Sequence, residues 1–214
     1  HSRLFVEGST FLISVVGGQL RGDAPMQVVS GRIDNPKVHF TAPSRAVLES
    51  ELSRFINWFN ASQSDTSLDP LLRAAIAHFW FVTLHPLEDG NGRITRLLTD
   101  LALAQAEQQS VRFYAMSVGI LAKRASYYKT LEQSQKGGLD ITPWLVWFLD
   151  TLNDTFAGVI TELEQTLFKA RFWRQIDQTQ LLKEQVKVLN KMLDGDFSDG
   201  INTTQYHRDA KVSK

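Results

Sequence analysis

The sequence predicts an all-α protein that carries one β-hairpin. Three observations carry that expectation. Apolar residues recur at helical spacing through most of the 214 positions. Two short β-prone runs, Met26–Val29 and Lys37–Phe40, flank a turn-rich centre. Glycine and proline punctuate the path between periodic segments, as at Gly137, Gly138 and Pro143, and Pro70–Leu84 carries no glycine. Helices with one apolar face each, joined by short punctuated loops, pack as a bundle.

The elements follow in chain order. After the hairpin, Ser44 is placed to cap a helix on which Leu48, Leu52, Phe55, Ile56 and Phe59 form one apolar stripe. Ala61–Leu68 is a polar loop. Asp69 and Pro70 form a cap and first-turn pair for a helix over Pro70–Leu84, which is apolar almost all round and therefore expected to be buried. His78 within it reads as a core histidine with its hydrogen bonds satisfied. Pro86 disfavours helical geometry at His85 and stops the helix there. The run Asp89-Gly90-Asn91-Gly92 opens the next helix, on which Ile94, Leu97, Leu98, Leu101 and Ala104 resume helical spacing. Gly137, Gly138 and Pro143 lead into a long helix. There Leu145, Phe148, Leu149, Leu152, Phe156, Val159, Ile160, Leu163 and Leu167 keep one face for roughly six turns.

Composition narrows the function classes. Acidic and basic residues balance at 23 each, so no global field attracts nucleic acid or anionic membranes. With no cysteine there is neither disulfide nor thiol catalysis. The histidines are scattered and no His-Glu-x-x-His occurs, which argues against zinc. Without a signal peptide or an apolar run of about 18 residues, the expected location is the cytoplasm.

The chemistry is concentrated in residues 85–96, His-Pro-Leu-Glu-Asp-Gly-Asn-Gly-Arg-Ile-Thr-Arg. A helix start offers backbone N–H groups and the positive end of a dipole, and glycines let anion oxygens approach: Gly90, Asn91 and Gly92 form such a cradle. Arg93 and Arg96, three apart, share a face and can reach successive phosphates of a polyphosphate. The bland reading of the run is a helix-loop-helix turn with glycines for positive φ, in which Arg96 simply pairs with Asp100, four residues on. Asp89 is placed to hold Mg²⁺ between substrate phosphates, and Asn91 to donate its amide to an oxygen on the reacting phosphorus. His85, with an ordinary pKa near 6.5, is the proton acceptor for an incoming hydroxyl.

This stretch resembles the signature of the Fic family, His-Pro-Phe-x-(Asp/Glu)-Gly-Asn-Gly-Arg-x-x-Arg, at every fixed position except that Leu87 stands for Phe. The resemblance implies a Fic-type helical bundle and transfer of AMP from ATP to a Ser, Thr or Tyr hydroxyl of a target protein. His85 is then the base, Asp89 the Mg²⁺ ligand, and Gly90, Asn91, Gly92, Arg93 and Arg96 the phosphate contacts. It also implies that the hairpin is a flap holding the target by strand addition, through Val28, Val29, Ser30 and Val38. The segment Arg124–Leu131 resembles the part of the family that closes the adenine pocket, with Tyr128 and Gln135 near the base. On the residues alone, paired tyrosines on a helix also suit half-buried packing. His39 is given no role.

The resemblance further implies a catalytic domain over residues 1–178 that begins before His1, and over 179–214 the opening of a winged helix. There Leu182–Leu189 and Asn202–His207 would be its first helices and Ala210–Ser213 its turn. DNA contact would need a recognition helix beyond Lys214. An inhibitory (Ser/Thr)-x-x-x-Glu-(Gly/Asn) motif is not found; Glu7-Gly8 comes close but Arg3 stands where Ser or Thr should. The same site could instead remove AMP or transfer another phosphate-linked group, the core could sense ligand for a regulator, and a homodimer is allowed.

Overall fold

The computed structural model describes residues 19–32, 34–107, 114–177, 180–197 and 199–210. The Glu7-Gly8 reading, the 178/179 boundary and the turn after Ala210 lie outside them. Among the described residues are a two-stranded antiparallel sheet, β1 (Gln27–Arg32) and β2 (Asn35–Thr41), and eight helices. These are α1 (Arg45–Ala61), α2 (Pro70–Leu84), α3 (Asn91–Glu107), α4 (Met116–Ala122), α5 (Arg124–Lys136), α6 (Thr142–Gln175), α7 (Lys183–Leu193) and α8 (Thr203–Ala210). No helix among the described residues is long and apolar enough to cross a membrane. The chain divides into two compact units, His1–Thr155 and Phe156–Lys214.

In the first unit α2 is the central helix, as its all-round apolar sequence requires. Asp69 Oδ1 accepts from the Leu71 and Leu72 N–H groups at 2.8 and 3.1 Å, and Pro70 occupies the first turn, where its missing donor costs nothing. Ser44 sits at the N-cap of α1 but makes no side-chain cap bond. Leu48, Phe55 and Phe59 of α1 are buried, and Phe55 packs against Trp80 and Phe81 of α2. Ile56, expected in the same stripe, lies on the flank and is about half exposed. Trp144, fully buried, donates from its indole to the Ala75 carbonyl at 2.9 Å, tying α6 to α2.

Two expectations about faces are corrected. On α3 the apolar residues at helical spacing, Ile94, Leu97, Leu98, Leu101 and Ala104, do not form the buried face: Leu97 and Leu101 are exposed and the buried residues are Asn91, Thr95, Thr99, Ala102 and Leu103. The reason is a hydrogen-bonded ladder. The Thr95 hydroxyl donates to Asn91 O at 2.7 Å and the Thr99 hydroxyl to Thr95 O at 2.8 Å. Because the Thr99 proton is spent there, its oxygen accepts from His78 Nδ1 at 2.9 Å, and His78 Nε2 accepts from the Tyr127 hydroxyl at 3.1 Å. Every hydroxyl and ring nitrogen of this buried chain is satisfied, which makes a polar face affordable in a core. On α6 the apolar face is buried only through Leu152; Ile160, Leu163 and Leu167 are exposed, because beyond Thr155 the helix belongs to the second unit.

His78 is the core histidine expected. Burial, helped by the Arg96 charge, pushes its pKa down to about 3. The unfolded chain therefore binds a proton that the folded chain refuses. Stability present above pH 6.5 is lost as pH falls toward about 3, by at most about 1 kcal/mol or a little more per pH unit. Denaturant midpoints measured across that window should fall with pH, and should fall less in His78→Gln, which cannot titrate.

In the second unit α7 and α8 pack together, with Lys191 Nζ 2.9 Å from Asp209 Oδ1. Trp173 and Lys169 of α6 bond to Asn190 and Asp194.

Candidate active site

The site begins with a chain reversal. α2 ends at His85 in the left-handed region, φ 47° and ψ 55°, with the His85 N–H still bonded to Phe81 O at 3.1 Å. This is an unusual conformation for a residue with a Cβ and one that needs support from its surroundings. Arg21 supplies it. Its Nε donates to His85 O at 2.9 Å, its Nη2 donates to Pro43 O, and its backbone N–H bonds Pro86 O at 3.0 Å. Nothing in the sequence marks Arg21, since its partners are main-chain carbonyls far along the chain, His85 O among them at 64 residues away.

The His85 ring is oriented by its own helix. Its Nδ1 is 3.2 Å from Val82 O, and a carbonyl only accepts, so the proton is on Nδ1 and the Nε2 lone pair is left over. Burial, with a smaller contribution from the Arg21 charge, lowers the pKa below the ordinary histidine value, against the opposing Val82 bond. His85 is thus neutral at physiological pH and able to take a proton.

The loop then closes on itself. Gly90, at φ 85°, takes a conformation open to glycine, and its N–H is bonded by Asp89 Oδ1 at 2.6 Å. Gly92 lies at the start of α3, where an added Cβ would come within 3.3 Å of the Arg96 guanidinium; its bare backbone lets Arg96 lie along the helix start. Arg96 makes no ion pair among the described residues, with Asp100 or otherwise. Arg93 is 3.0 Å from Asp89 Oδ2, with both side chains substantially exposed. An ion pair this exposed contributes little to stability.

Asn91 departs from its expected task. Its side chain is buried; Oδ1 accepts from Leu87 N at 2.9 Å and Nδ2 donates to Leu87 O at 2.7 Å. The amide expected to face a reacting phosphorus clasps the loop instead. Leu87, buried in place of the signature's Phe, also bridges to Leu20.

A cavity of about 920 Å³ gathers most of the expected residues: His85, Gly92, Arg96, Tyr128 and Gln135, and from the hairpin Val28, Val29 and Ser30. It is large enough for a nucleotide. Val38 is on β2 but does not line it, nor do Asp89, Gly90, Asn91 and Arg93. Tyr128, half exposed, meets Arg124 at 5.8 Å over its ring, and Gln135 Nε2 donates to Thr83 at 3.1 Å. Tyr127, His39 and Glu132 also line the cavity and were not expected. Tyr127 could have been found from its place beside Tyr128. Glu132 Oε2 holds His39 Nδ1 at 2.7 Å and so ties the hairpin to α5.

Mg²⁺ fits the donor set in a limited sense. Among the described residues no group of three or more His, Asp or Glu side chains can hold an ion. Asp89 brings one part-exposed carboxylate, its oxygens bonded to Gly90 N–H and Arg93, and Mg²⁺ needs only one or two carboxylates when the substrate's phosphates supply the rest.

Comparison with known proteins agrees with the geometry. Residues 2–103 match the model of the Fic/DOC family. The chain is 35% identical over 115 residues to protein adenylyltransferase fic-1 of Caenorhabditis elegans, covering 52% of this chain and 21% of that protein. It is 37% identical over 106 residues to protein adenylyltransferase Fic of Drosophila mojavensis, covering 49% and 19%. It therefore spans about a fifth of the length of the curated relatives it matches. Among solved structures, a Fic domain containing signaling protein from Bacteroides thetaiotaomicron superposes with a TM-score of 0.54 at 22% identity, covering 69% of this chain and 54% of that one. A Fic family protein from Desulfovibrio desulfuricans does so with a TM-score of 0.54 at 19% identity, covering 97% and 54%. These two share the fold. The signature loop and α2 lie within the stretch that matches the Fic/DOC family model.

Proposed function

We propose that this chain is a protein adenylyltransferase that transfers AMP from ATP to a hydroxyl side chain of a target protein. One observation carries the reading: His85, with an unshared Nε2 pair, shares a nucleotide-sized cavity with Arg96, the start of α3 and the exposed edge of the hairpin. The curated names of the relatives support it.

Arg96 and Arg93 bind the outer phosphates. Tyr128 and Gln135 flank the adenine. Val28, Val29, Ser30 and Val38 align the target main chain, which presents its hydroxyl without demanding a particular sequence. His85 accepts the hydroxyl proton as oxygen attacks the α-phosphorus and pyrophosphate leaves. Asp89, together with the phosphates, would hold Mg²⁺, which would offset charge on the triphosphate. We read the helices α7 and α8 as belonging to a winged-helix module and assign the chain to the cytoplasm.

Incubating the chain with α-labelled ATP and Mg²⁺ in a lysate of the source organism should label a discrete protein, with mass spectrometry locating an added AMP. Absence of any AMP-bearing protein would sink the reading. The pH dependence adds a check. Since the His85 pKa lies below 6.5, the rate should hold through mildly acidic pH and fall only as the ring protonates, so the acid limb should have its midpoint below 6.5.

A further inference from the structure

We propose that Ser30 is itself an AMP acceptor, a modification site on the hairpin whose hydroxyl is deprotonated by His39. The inference rests on the adenylyltransferase reading above. Three side chains form one relay: Ser30 Oγ is 2.6 Å from His39 Nε2, and His39 Nδ1 is 2.7 Å from Glu132 Oε2. All three line the cavity that also holds His85, Gly92 and Arg96.

The hairpin itself places His39. Val28 pairs with Phe40 and Val29 with Val38, so His39 stands opposite no residue, the extra position of a β-bulge. Bulges re-aim side chains and occur beside active sites. Ser30 pairs across the ladder with Lys37, so its bond to His39 is no part of the sheet.

Proton positions follow from the partners. The Glu132 carboxylate, whose other oxygen is 2.6 Å from Lys136 Nζ, only accepts, so the proton it shares with His39 is on Nδ1. In its neutral form the ring then has its lone pair at Nε2, where the Ser30 hydroxyl can donate. A hydroxyl donating to an imidazole that a carboxylate orients is an activated nucleophile. Ser30 is exposed and free to meet a substrate.

In the step proposed, Ser30 Oγ bonds to the α-phosphorus of ATP. The bond from that phosphorus to the bridging oxygen of the β-phosphate breaks, pyrophosphate leaves with its electron pair, and the hydroxyl proton passes to His39 Nε2. Glu132 faces the imidazolium formed. The adduct stays on the strand that lines the cavity.

The test uses the purified chain with Mg²⁺ and α-labelled ATP, followed by peptide mapping, beside the lysate reaction above. One AMP on Ser30 is expected, and none in Ser30→Ala. His39→Ala should slow the adduct by about 10²-fold or more, and added imidazole should restore part of the rate, a recovery that a purely structural histidine would not give. Loss without imidazole recovery overturns His39 as the base. Labelled lysate proteins with Ser30 bare overturn this inference alone; label nowhere, in lysate or chain, overturns the reading beneath it as well.

Discussion

His85→Ala should lower AMP transfer by about 10² to 10⁴, the usual worth of a positioned general base, while MgATP binding measured by calorimetry stays near that of the parent chain. The expected split follows from the geometry. Among the described residues the imidazole makes one hydrogen bond, from Nδ1 to Val82 O, so its removal strands no polar partner except a carbonyl at a helix end. The αL backbone at His85 is held by Arg21 through the carbonyl and not through the ring, so it should survive the substitution. Alanine does tolerate φ 47° less well than histidine, and some stability should be lost. Arg96→Ala should give the opposite split. That guanidinium makes no ion pair among the described residues and lies in the cavity, so its loss should appear in the binding constant for MgATP. Transfer at the parent rate by His85→Ala would place the base elsewhere.

How much of this was legible depends on the range of the signal. The limits of α2 are written locally: an aspartate and a proline at one end, a proline at position 86 at the other, each acting on its own neighbours. The glycines at 90 and 92 and the hairpin are of the same kind. The face of α3 was not legible, because its leucines and its threonines both recur at helical spacing and hydrophobicity selects the leucines. The threonines are inside only because His78 and Tyr127 arrive to complete their hydrogen bonds, and Tyr127 comes from 49 residues beyond His78. Arg21 and His39 escaped for the same reason. Their partners, His85 O and Glu132, are 64 and 93 residues away, and an isolated arginine or histidine carries no record of them. The site's residue types were readable in one twelve-residue run, but what holds them in place comes from the rest of the chain.

Asn91 is where that difference can be measured. A donor to an oxygen on phosphorus contributes only in the transition state, so its loss lowers kcat and leaves the folded protein intact. A clasp contributes before any substrate arrives. Asn91→Asp separates the two. The aspartate keeps an acceptor for Leu87 N–H but sets a carboxylate oxygen where Nδ2 now donates to Leu87 O at 2.7 Å, in a side chain only 3% exposed. Two acceptors then face each other in the core, and the charge has no partner there. Stranding a buried polar group costs about 1–3 kcal/mol, and more when it is charged. In a chain of this size each kcal/mol lowers Tm by roughly 2–4 °C. We therefore expect Asn91→Asp to melt several degrees below the parent and to lose transfer activity as well, since Gly90, Gly92 and Arg96 depend on the loop that Asn91 closes. Lost transfer with an unchanged Tm would return Asn91 to the reacting phosphorus and remove the clasp from the account of this site.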